Sequence, residues 1–402
     1  MPARSLVYFA PVRYASFWQR PHYMAAALLG GPVQRLLWVD PYPTRLPKLS
    51  DWKRPSDIPR RPETTIEGVE VLSPMALPFE PLSLGRQFNR LMLLGPTRAS
   101  IAAWIDDRPF AVGVGKPSPL AIDMLRSLSD HPLCRGRFYD AMDRFSCFYT
   151  GLSSRAMQRW EGEVVPLCDW VQASSTTLRD SLQRNGVSVR LCLNGVEPHT
   201  LDNARQFATR SAGIDPAPGP VFGYIGTLGG WFDWDWTLRL ARELAQCQPK
   251  GRIVLVGPLF EGPPAPLPAN VELLPPVAHD EALALAAGFD VGIVPFKDTP
   301  LTRCVDPLKY YEYRGLGLPV LATSFGELRH KNDPALLLAE PGGDLSTAIA
   351  RALALRDRAA VTPPLHEWSW TSRFAPLQAW LTSLGRPVES GIVRGEPACT
   401  LS

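Results

Sequence analysis

Lys309 and Glu312 are the two side chains whose types and spacing point most directly to chemistry. They lie in the segment 302–323, TRCVDPLKYYEYRGLGLPVLAT, in which Pro307 favours the start of a helix. Residues three apart share one helix face. A cation in the first turn would meet a diphosphate there, and a carboxylate one turn later would accept hydrogen bonds from ribose hydroxyls. A solvated ion pair explains the same spacing, so spacing alone does not decide between the two.

A glycine-rich turn is the second candidate for anion binding. Gly226, Gly229 and Gly230 follow an apolar run and precede a predicted helix. Glycines at this point let backbone N–H groups approach a phosphate, and the helix N-terminus adds a favourable dipole. A turn without a ligand is the simpler explanation of the glycines alone.

The segment VGVGKPSPL (112–120) resembles a dinucleotide-binding loop only superficially. Ser118 stands where the third glycine is required, and Pro117 and Pro119 are expected to disrupt the start of the following helix. We therefore assign it no nucleotide.

These residues are set in a chain in which apolar runs alternate with helical patterns, which predicts α/β architecture with parallel sheets. The predicted strands are 5–10, 33–40, 69–74, 109–114, 136–143, 169–175, 189–196, 252–257, 271–277, 291–296 and 319–323, and the segment 221–230 is predicted as a strand followed by a glycine loop. The predicted helices are 19–29, 84–105, 176–184, 234–246, 280–287, 307–314, 345–355 and 370–384. The polar segment 199–219 ends in proline and glycine and is the predicted inter-domain linker.

Composition excludes several classes of protein. The 402 residues suit two domains, and a net charge of +3 from 42 basic and 39 acidic residues does not indicate nucleic-acid binding. The seven cysteines form no CxxC pair, which is typical of reduced thiols in a cytosolic protein. No apolar run is long enough for a signal peptide or a membrane span. We therefore expect a cytoplasmic protein, at most peripheral to the inner face of the membrane.

A basic and apolar helix over 84–105 is the one candidate for membrane contact. It carries Arg86, Arg90 and Arg98 beside Phe88 and Leu91. Such a helix either docks on an anionic bilayer or packs on its own domain, and the sequence is compatible with both.

The segment 302–323 resembles the donor-binding signature of GT-B glycosyltransferases of the bacterial "group 1" type, in which a P-x-K-x-x-E helix precedes a P-V-[VL]-A-[ST] strand. Further similar motifs are SFWQRPHYMA (16–25), YDAMDRFS (139–146), LCLNGVE (191–197), FGYIGTLGGWFD (222–233), VLVGP (254–258), VELLPPVAHDEALALAAGFDVGIVPF (271–296) and WSWTSRF (368–374). The similarity covers nearly the whole chain and is greatest to the polysaccharide-biosynthesis branch.

The resemblance implies two Rossmann-like, doubly wound parallel-sheet domains that face a central cleft. The implied limits are an acceptor domain at 1–200, a linker at 201–219, a nucleotide-sugar domain at 220–368, a helix at 369–386 that crosses back to the first domain, and a tail at 387–402. The implied donor-binding residues are Gly226, Thr227, Pro276, Val277, Phe296, Arg303, Lys309 and Glu312.

The first half supplies the candidates for catalysis and acceptor binding. Asp143, at the end of a predicted strand, falls where similar enzymes place a cleft-facing carboxylate that acts as general base on an acceptor hydroxyl. His22 is a second catalytic candidate, and Arg20 and Trp18 are candidates for acceptor binding. For each, a structural role is the alternative, and Asp140 is expected to be structural.

One position departs from the pattern. Many retaining relatives have two acidic residues with seven residues between them, and here Cys304 stands at the first position while Glu312 is the second. Retention and inversion therefore both stay open.

The resemblance implies a metal-independent hexosyltransferase that uses a nucleotide-diphosphate sugar, with UDP expected, as a substrate and needs no cofactor. The acceptor is a glycan or a lipid-linked glycan in surface polysaccharide biosynthesis, with no nucleic acid as partner. The alternatives are a nucleotide-sugar 2-epimerase of the same fold and a non-catalytic protein that binds a sugar nucleotide or polysaccharide.

Overall fold

The computed structural model describes residues 3–47, 65–183, 186–208, 219–340, 342–356 and 365–384, and they contain two sheets. The seven-stranded sheet has the order β3-β2-β1-β4-β5-β6-β7 and the six-stranded sheet the order β10-β9-β8-β11-β12-β13. The strands are β1 (Ser5–Phe9), β2 (Arg35–Val39), β3 (Val69–Leu72), β4 (Phe110–Val114), β5 (Cys134–Ala141), β6 (Trp170–Ala173), β7 (Arg190–Leu191), β8 (Val221–Ile225), β9 (Arg252–Val256), β10 (Val271–Leu274), β11 (Val291–Val294), β12 (Val320–Thr323) and β13 (Leu336–Ala339).

Every strand pair is parallel, so the connections are crossovers, most of them through helices. The α-helices are α1 (Arg20–Leu29), α2 (Ser83–Phe88), α3 (Leu94–Ile105), α4 (Pro119–Leu128), α5 (Gly151–Val164), α6 (Thr176–Gln183), α7 (Pro198–Ala208), α8 (Trp234–Cys247), α9 (His279–Ala286), α10 (Leu308–Gly315), α11 (Leu345–Leu355), α12 (Leu365–Trp368) and α13 (Trp370–Ser383). Because helices cover both faces, the central strands are continuous apolar runs.

The C-terminal helix α13 packs on the first sheet's helix α1. Trp370, Phe374, Leu377 and Leu381 are buried in the same apolar cluster as Leu6 and Trp38 of the first sheet. The Trp370 ring also stacks on Tyr23 of α1, with the ring centroids 5.0 Å apart. The last helix therefore joins the core of the first half of the chain.

Helix α4 contradicts one expectation from the sequence. It begins at Pro119, and the Ser118 hydroxyl accepts a hydrogen bond from the Ala121 N–H at 3.2 Å. Proline suits the first position of a helix because its missing N–H would have had no partner there. Pro119 thus starts the helix that it was expected to disrupt.

Other differences concern element bounds. The predicted helix 84–105 is divided into α2, a π-helical turn at Asn89–Leu93, and α3. The predicted strand 189–196 is a strand only at Arg190–Leu191. Helix α7 occupies the start of the predicted linker and packs on α9, with Leu201 fully buried. The rest of that linker, 209–218, and the predicted tail lie outside the described residues.

None of the described helices combines the length and the apolar character that a membrane crossing requires.

Candidate active site

Two cavities, each of about 290 Å³, adjoin one another at the carboxyl ends of the two sheets, where open α/β folds bind ligands. Both are lined by Gln19, Gly226, Thr227, Leu308 and Lys309. We call them the Glu312 cavity and the Asp143 cavity, after the carboxylate that lines each. Since residues of both halves of the chain line each cavity, the two together form one cleft between the sheets.

Lys309 and Glu312 lie in this cleft and do not face bulk water. Helix α10 begins after Pro307, so both residues fall in its first turns. The Lys309 Nζ donates to Glu312 Oε2 at 2.8 Å, and the Glu312 side chain is buried. The sequence left a solvated surface pair as the alternative, and the burial of Glu312 excludes it.

His279, the first residue of α9, is a third polar side chain at the same place. Its Nε2 lies 3.5 Å from Glu312 Oε1, and its ring lines the Glu312 cavity. Burial opposes ionisation of Glu312, but the charges of Lys309 and His279 outweigh it and hold the pKa of Glu312 below its usual range. His279 was not among the predicted site residues: it belongs to no spacing motif of its own, and the predicted helix begins one residue later, at 280.

The glycine loop after β8 reaches both cavities. Gly226 has φ +145°, and a Cβ there would lie 2.8 Å from the Tyr224 hydroxyl and 3.2 Å from Lys309 Cε. Glycine is therefore required for Lys309 to lie against the loop. The Gly226 N–H donates to the Val256 carbonyl at 2.8 Å, whereas the Thr227 N–H has no partner within the described chain. Because Thr227 also lines both cavities, its N–H is a backbone donor that the loop offers to an anion in the cleft.

Pro276 and Val277 line the Glu312 cavity beyond β10. Phe296 lines the Asp143 cavity, where its ring packs at 5.1 Å from that of Phe325. Arg303 lines neither cavity: it is exposed and paired with Asp298, with Nε 2.9 Å from Oδ1. Seven of the eight predicted donor-binding residues therefore line the cleft, and Arg303 does not.

Asp143 follows the carboxyl end of β5 and lines the Asp143 cavity together with Lys309. Its side chain is half-buried and has no hydrogen-bond or ion-pair partner in the described part of the chain. Burial raises the pKa of Asp143 to about 7, although the nearby Arg20 charge lowers it. A carboxylate that is unpaired and titrates near neutrality is suited to accept a proton from an acceptor hydroxyl.

Arg20 and Asp140 form a buried ion pair beside that cavity. Arg20 Nη2 lies 2.7 Å from Asp140 Oδ1, and Gln172 donates to the same oxygen at 2.8 Å. Arg20 Nη1 donates to the Asn194 side-chain oxygen at 3.1 Å. Arg20 also lines the Asp143 cavity, but most of its guanidinium N–H groups already donate to Asp140 and Asn194.

Asn194 links this ion pair to the second half of the chain. Its backbone N–H donates to Asp306 Oδ2 at 2.7 Å, and its side-chain Nδ2 donates to the Asp306 carbonyl at 2.6 Å. Asp306 is buried and also pairs with Lys331. Sequence reasoning missed this connection because its residues are 112 positions apart and belong to no local motif.

His22 lies in the first turn of α1, and Trp18 lies just before that helix. His22 is buried and lines neither cavity; its Nδ1 accepts from the Gln19 N–H at 3.2 Å, and Nε2 lies 3.1 Å from the Tyr14 carbonyl. These contacts fix the tautomer with the proton on Nε2 and favour a structural role. Trp18 lines the Glu312 cavity and stacks on His22.

Cys304 stands where the resemblance implies an acid in retaining enzymes, and it is turned away from the cleft. Its side chain is buried in the core of the first half, and burial raises the pKa of its thiol. Thr302 and Val305 beside it line the Asp143 cavity, but Cys304 does not. Among the described residues, no three His, Cys, Asp or Glu side chains are grouped as metal ligands would be.

Two parallel α/β sheets that face a cleft define the GT-B fold, and the fold class predicted from the sequence is confirmed. HepE of Anabaena, solved with UDP and glucose, superimposes with a TM-score of 0.61 and 14% identity over 94% of this chain and 100% of its own. A UDP-forming α,α-trehalose-phosphate synthase of Burkholderia xenovorans gives a TM-score of 0.62 and 14% identity over 96% of this chain and 100% of its own.

In sequence, the chain is similar to TuaH of Bacillus subtilis strain 168, whose name assigns it to teichuronic acid biosynthesis as a glycosyltransferase. The two are 24% identical over 217 residues, which are 46% of this chain and 50% of TuaH. The match therefore spans about half the length of that curated relative. No family model matches the sequence. The resemblance to GT-B glycosyltransferases is confirmed by these relatives.

Proposed function

We propose that this chain is a glycosyltransferase that moves a sugar from a UDP-sugar to a glycan or lipid-linked acceptor in surface polysaccharide biosynthesis. The similarity to TuaH supports glycosyl transfer as the reaction and polysaccharide biosynthesis as the process. The UDP bound to HepE supports uridine as the nucleoside of the donor. In this proposal the second half of the chain holds the donor and the first half offers the acceptor, with domain limits at 1–200 and 220–368 and a linker at 201–219.

The observation that carries the proposal is the Lys309–Glu312 pair inside the cleft. Taking a carboxylate and an ammonium group out of water costs free energy that their mutual attraction often fails to recover. A pair whose carboxylate is buried within a cleft is therefore more readily explained by a ligand that uses both charges than by stability. A diphosphate would accept from Lys309, and ribose hydroxyls would donate to Glu312.

The residues on either side of the sugar have separate roles in the transfer. The bond between the anomeric carbon and the diphosphate oxygen breaks, and the charge on the leaving diphosphate is stabilised by Lys309 and the Thr227 N–H. The acceptor oxygen bonds to the anomeric carbon, and its proton passes to the Asp143 carboxylate. The proton then leaves to solvent, which restores the base.

Nucleotide binding is the first test. A set of UDP-, GDP-, ADP- and dTDP-sugars would be compared by the rise in melting temperature of the purified chain. A ligand at one hundred times its dissociation constant stabilises the fold by about 2.7 kcal/mol, which is readily measured. We expect UDP-sugars to give the largest rise, and the absence of a rise with every sugar nucleotide would refute the proposal.

Turnover separates the proposal from its two alternatives. Release of UDP would be followed with the best donor, with and without bacterial glycan and lipid-linked acceptors. A transferase releases UDP when an acceptor is supplied. A 2-epimerase changes the sugar without an acceptor, and a binding protein raises the melting temperature but releases no UDP.

A further inference from the structure

Three consecutive hydroxyl side chains, those of Ser174, Ser175 and Thr176, join the two halves of the chain beside the cleft. They connect the carboxyl end of β6 to the start of α6, and both serines have no exposed area. A buried hydroxyl without a partner costs free energy, so the partners of these groups show where the backbone is held. We call these three residues the 174–176 segment.

Ser174 is bonded to the backbone that precedes Asp143. Its N–H donates to the Ala141 carbonyl at 2.9 Å, and its hydroxyl donates to the Met142 carbonyl at 2.7 Å. Met142 and Asp143 both line the Asp143 cavity. The 174–176 segment therefore fixes the part of the first half that carries the candidate general base.

Ser175 is bonded to a loop of the second half. Its hydroxyl donates to the Cys304 carbonyl at 2.8 Å. The Cys304 side chain is itself buried in the apolar core of the first half, while Thr302 and Val305 line the Asp143 cavity. The loop that forms one wall of this cavity is thus attached to the first half at Cys304.

Glu327 of the second half is bonded to Thr176, the first residue of α6. Glu327 Oε2 accepts from the Thr176 N–H at 2.7 Å, and Oε1 accepts from the Thr176 hydroxyl at 3.0 Å. The first N–H groups of a helix have no partner within the helix, and a carboxylate at that end is favoured by the helix dipole. Glu327 is 3% exposed, so this contact between the two halves is buried.

The backbone at Glu327 also holds the loop that leads to Lys309. The Glu327 N–H donates to the Val305 carbonyl at 3.0 Å. Gly326 has φ +50°, and a Cβ there would collide with the Val305 and Thr302 carbonyl oxygens, so this close approach requires glycine. Glu327 is therefore bonded to the first half through its carboxylate and to the cleft loop through its backbone.

We propose that Glu327 is a positioning residue that sets the distance between Asp143 and Lys309. Asp143 belongs to the first half and Lys309 to the second, and both line the Asp143 cavity. Glu327 lines neither cavity and touches no substrate. The inference rests on the proposed function, because glycosyl transfer needs the acceptor oxygen and the anomeric carbon to be held about 3–3.5 Å apart.

The test compares Glu327→Ala with Glu327→Gln. Alanine removes both bonds to Thr176, whereas the glutamine amide keeps both: its oxygen accepts from the N–H, and its NH₂ group donates to the hydroxyl oxygen. A misplacement of about 1 Å costs about 10²-fold in rate, and we expect kcat of Glu327→Ala to fall by about that factor. Glu327→Gln should stay within about threefold of the wild type. The dissociation constant of UDP should change less than about twofold in both variants, because Lys309 and Glu312 lie on one helix of the second half.

Asp290→Ala is the matched control. The Asp290 carboxylate also accepts from one backbone N–H, that of Val221 at 2.8 Å, and from one side chain, that of Arg356 at 3.1 Å. It precedes β11, at the edge of the second sheet opposite the cleft. Asp290→Ala should lower the melting temperature and leave kcat within about threefold. If Glu327→Ala does not fold, Ser175→Ala, which removes the bond to the Cys304 carbonyl, takes its place.

Three kinetic results would overturn the proposal. They are a normal kcat in Glu327→Ala, an equal loss of kcat in Asp290→Ala, and a rise in the dissociation constant of UDP as large as the fall in kcat. The first shows that the contact does not matter to transfer, the second that stability alone is involved, and the third that Glu327 acts on the donor.

Hydrogen exchange of the full chain tests the same connection without donor or acceptor. In Glu327→Ala, peptides that cover 140–146 and 302–309 should both exchange faster than in the wild type, and in Glu327→Gln neither should. Faster exchange confined to the peptide that contains residue 327 would overturn the proposal. A wild type without turnover would instead refute the transferase proposal, and the exchange result would still decide whether Glu327 holds the two halves together.

Discussion

Lys309 Nζ lies 2.8 Å from Glu312 Oε2, and both side chains line a cleft to which the two halves of the chain contribute. The ammonium group is also against the glycine loop, since its Cε would lie 3.2 Å from a Cβ at residue 226. A single short helix therefore presents a cation to the loop and a carboxylate to the Glu312 cavity. This arrangement separates the places for a diphosphate and for a ribose by about one helical turn.

Lys309→Ala should lower kcat by about 10²–10³, the usual loss when one group that stabilises a developing negative charge is removed. Donor turnover in the presence of acceptor is the measurement. Lys250→Ala is the control, because Lys250 is exposed and lines neither cavity. Near-normal turnover of Lys309→Ala would remove this residue from the mechanism.

Ionisation of Asp143 should determine how kcat/KM rises with pH on the acid side of the pH profile, which we call the acid limb. The pKa of Asp143 is about 7, raised by burial, so the carboxyl group is mostly protonated below pH 7 and mostly ionised above it. Only the ionised form accepts a proton, and kcat/KM should therefore rise with pH up to about 7 and level off above it. Asp143→Asn should have low activity with no such limb between pH 5.5 and 8.5. Asp130→Asn, at an exposed position beyond α4, should keep the wild-type profile. An unchanged profile in Asp143→Asn would assign the limb to another group.

His279 should affect the donor through its charge beside Glu312. The two side chains are 3.5 Å apart and the histidine is only partly buried. His279→Gln should raise the KM for the donor by about two- to fivefold, the effect of losing a partly exposed pair, and should leave kcat nearly unchanged. Initial rates at varied donor and saturating acceptor measure both constants. An unchanged KM, or a fall in kcat as large as the rise in KM, would contradict this explanation.

The sequence predicted most of the fold because buried parallel strands leave a simple signal, a short apolar run between turns. Strand β13 was not predicted, although its sequence LLLA is a short apolar run. The residues around it show no second pattern that would have marked the run as a strand. The cleft residues of α10 could be predicted because Lys309 and Glu312 lie three residues apart in one short motif. That spacing alone places them on the same face of a helix. The sequence could not predict the Asn194–Asp306 contact or the direction of Cys304, since both depend on how the two sheets meet. Arg303 has the right charge and position in sequence, but Asp298, five residues earlier, pairs with it outside the cleft.

A substitution of Arg20 tests whether the segment 20–22 has a structural role. The guanidinium group of Arg20 is 2% exposed and bonded to Asp140, so Arg20→Ala would leave a carboxylate buried without its partner. Breaking one side of a buried pair costs about 3–5 kcal/mol, and the free energy of unfolding in urea should fall by that amount. Arg126→Ala breaks an exposed pair with Glu163 and should cost about 0–1 kcal/mol. If Arg20→Ala instead kept its stability and lost only acceptor turnover, the arginine would belong to the acceptor site and Asp140 would be satisfied by Gln172 alone.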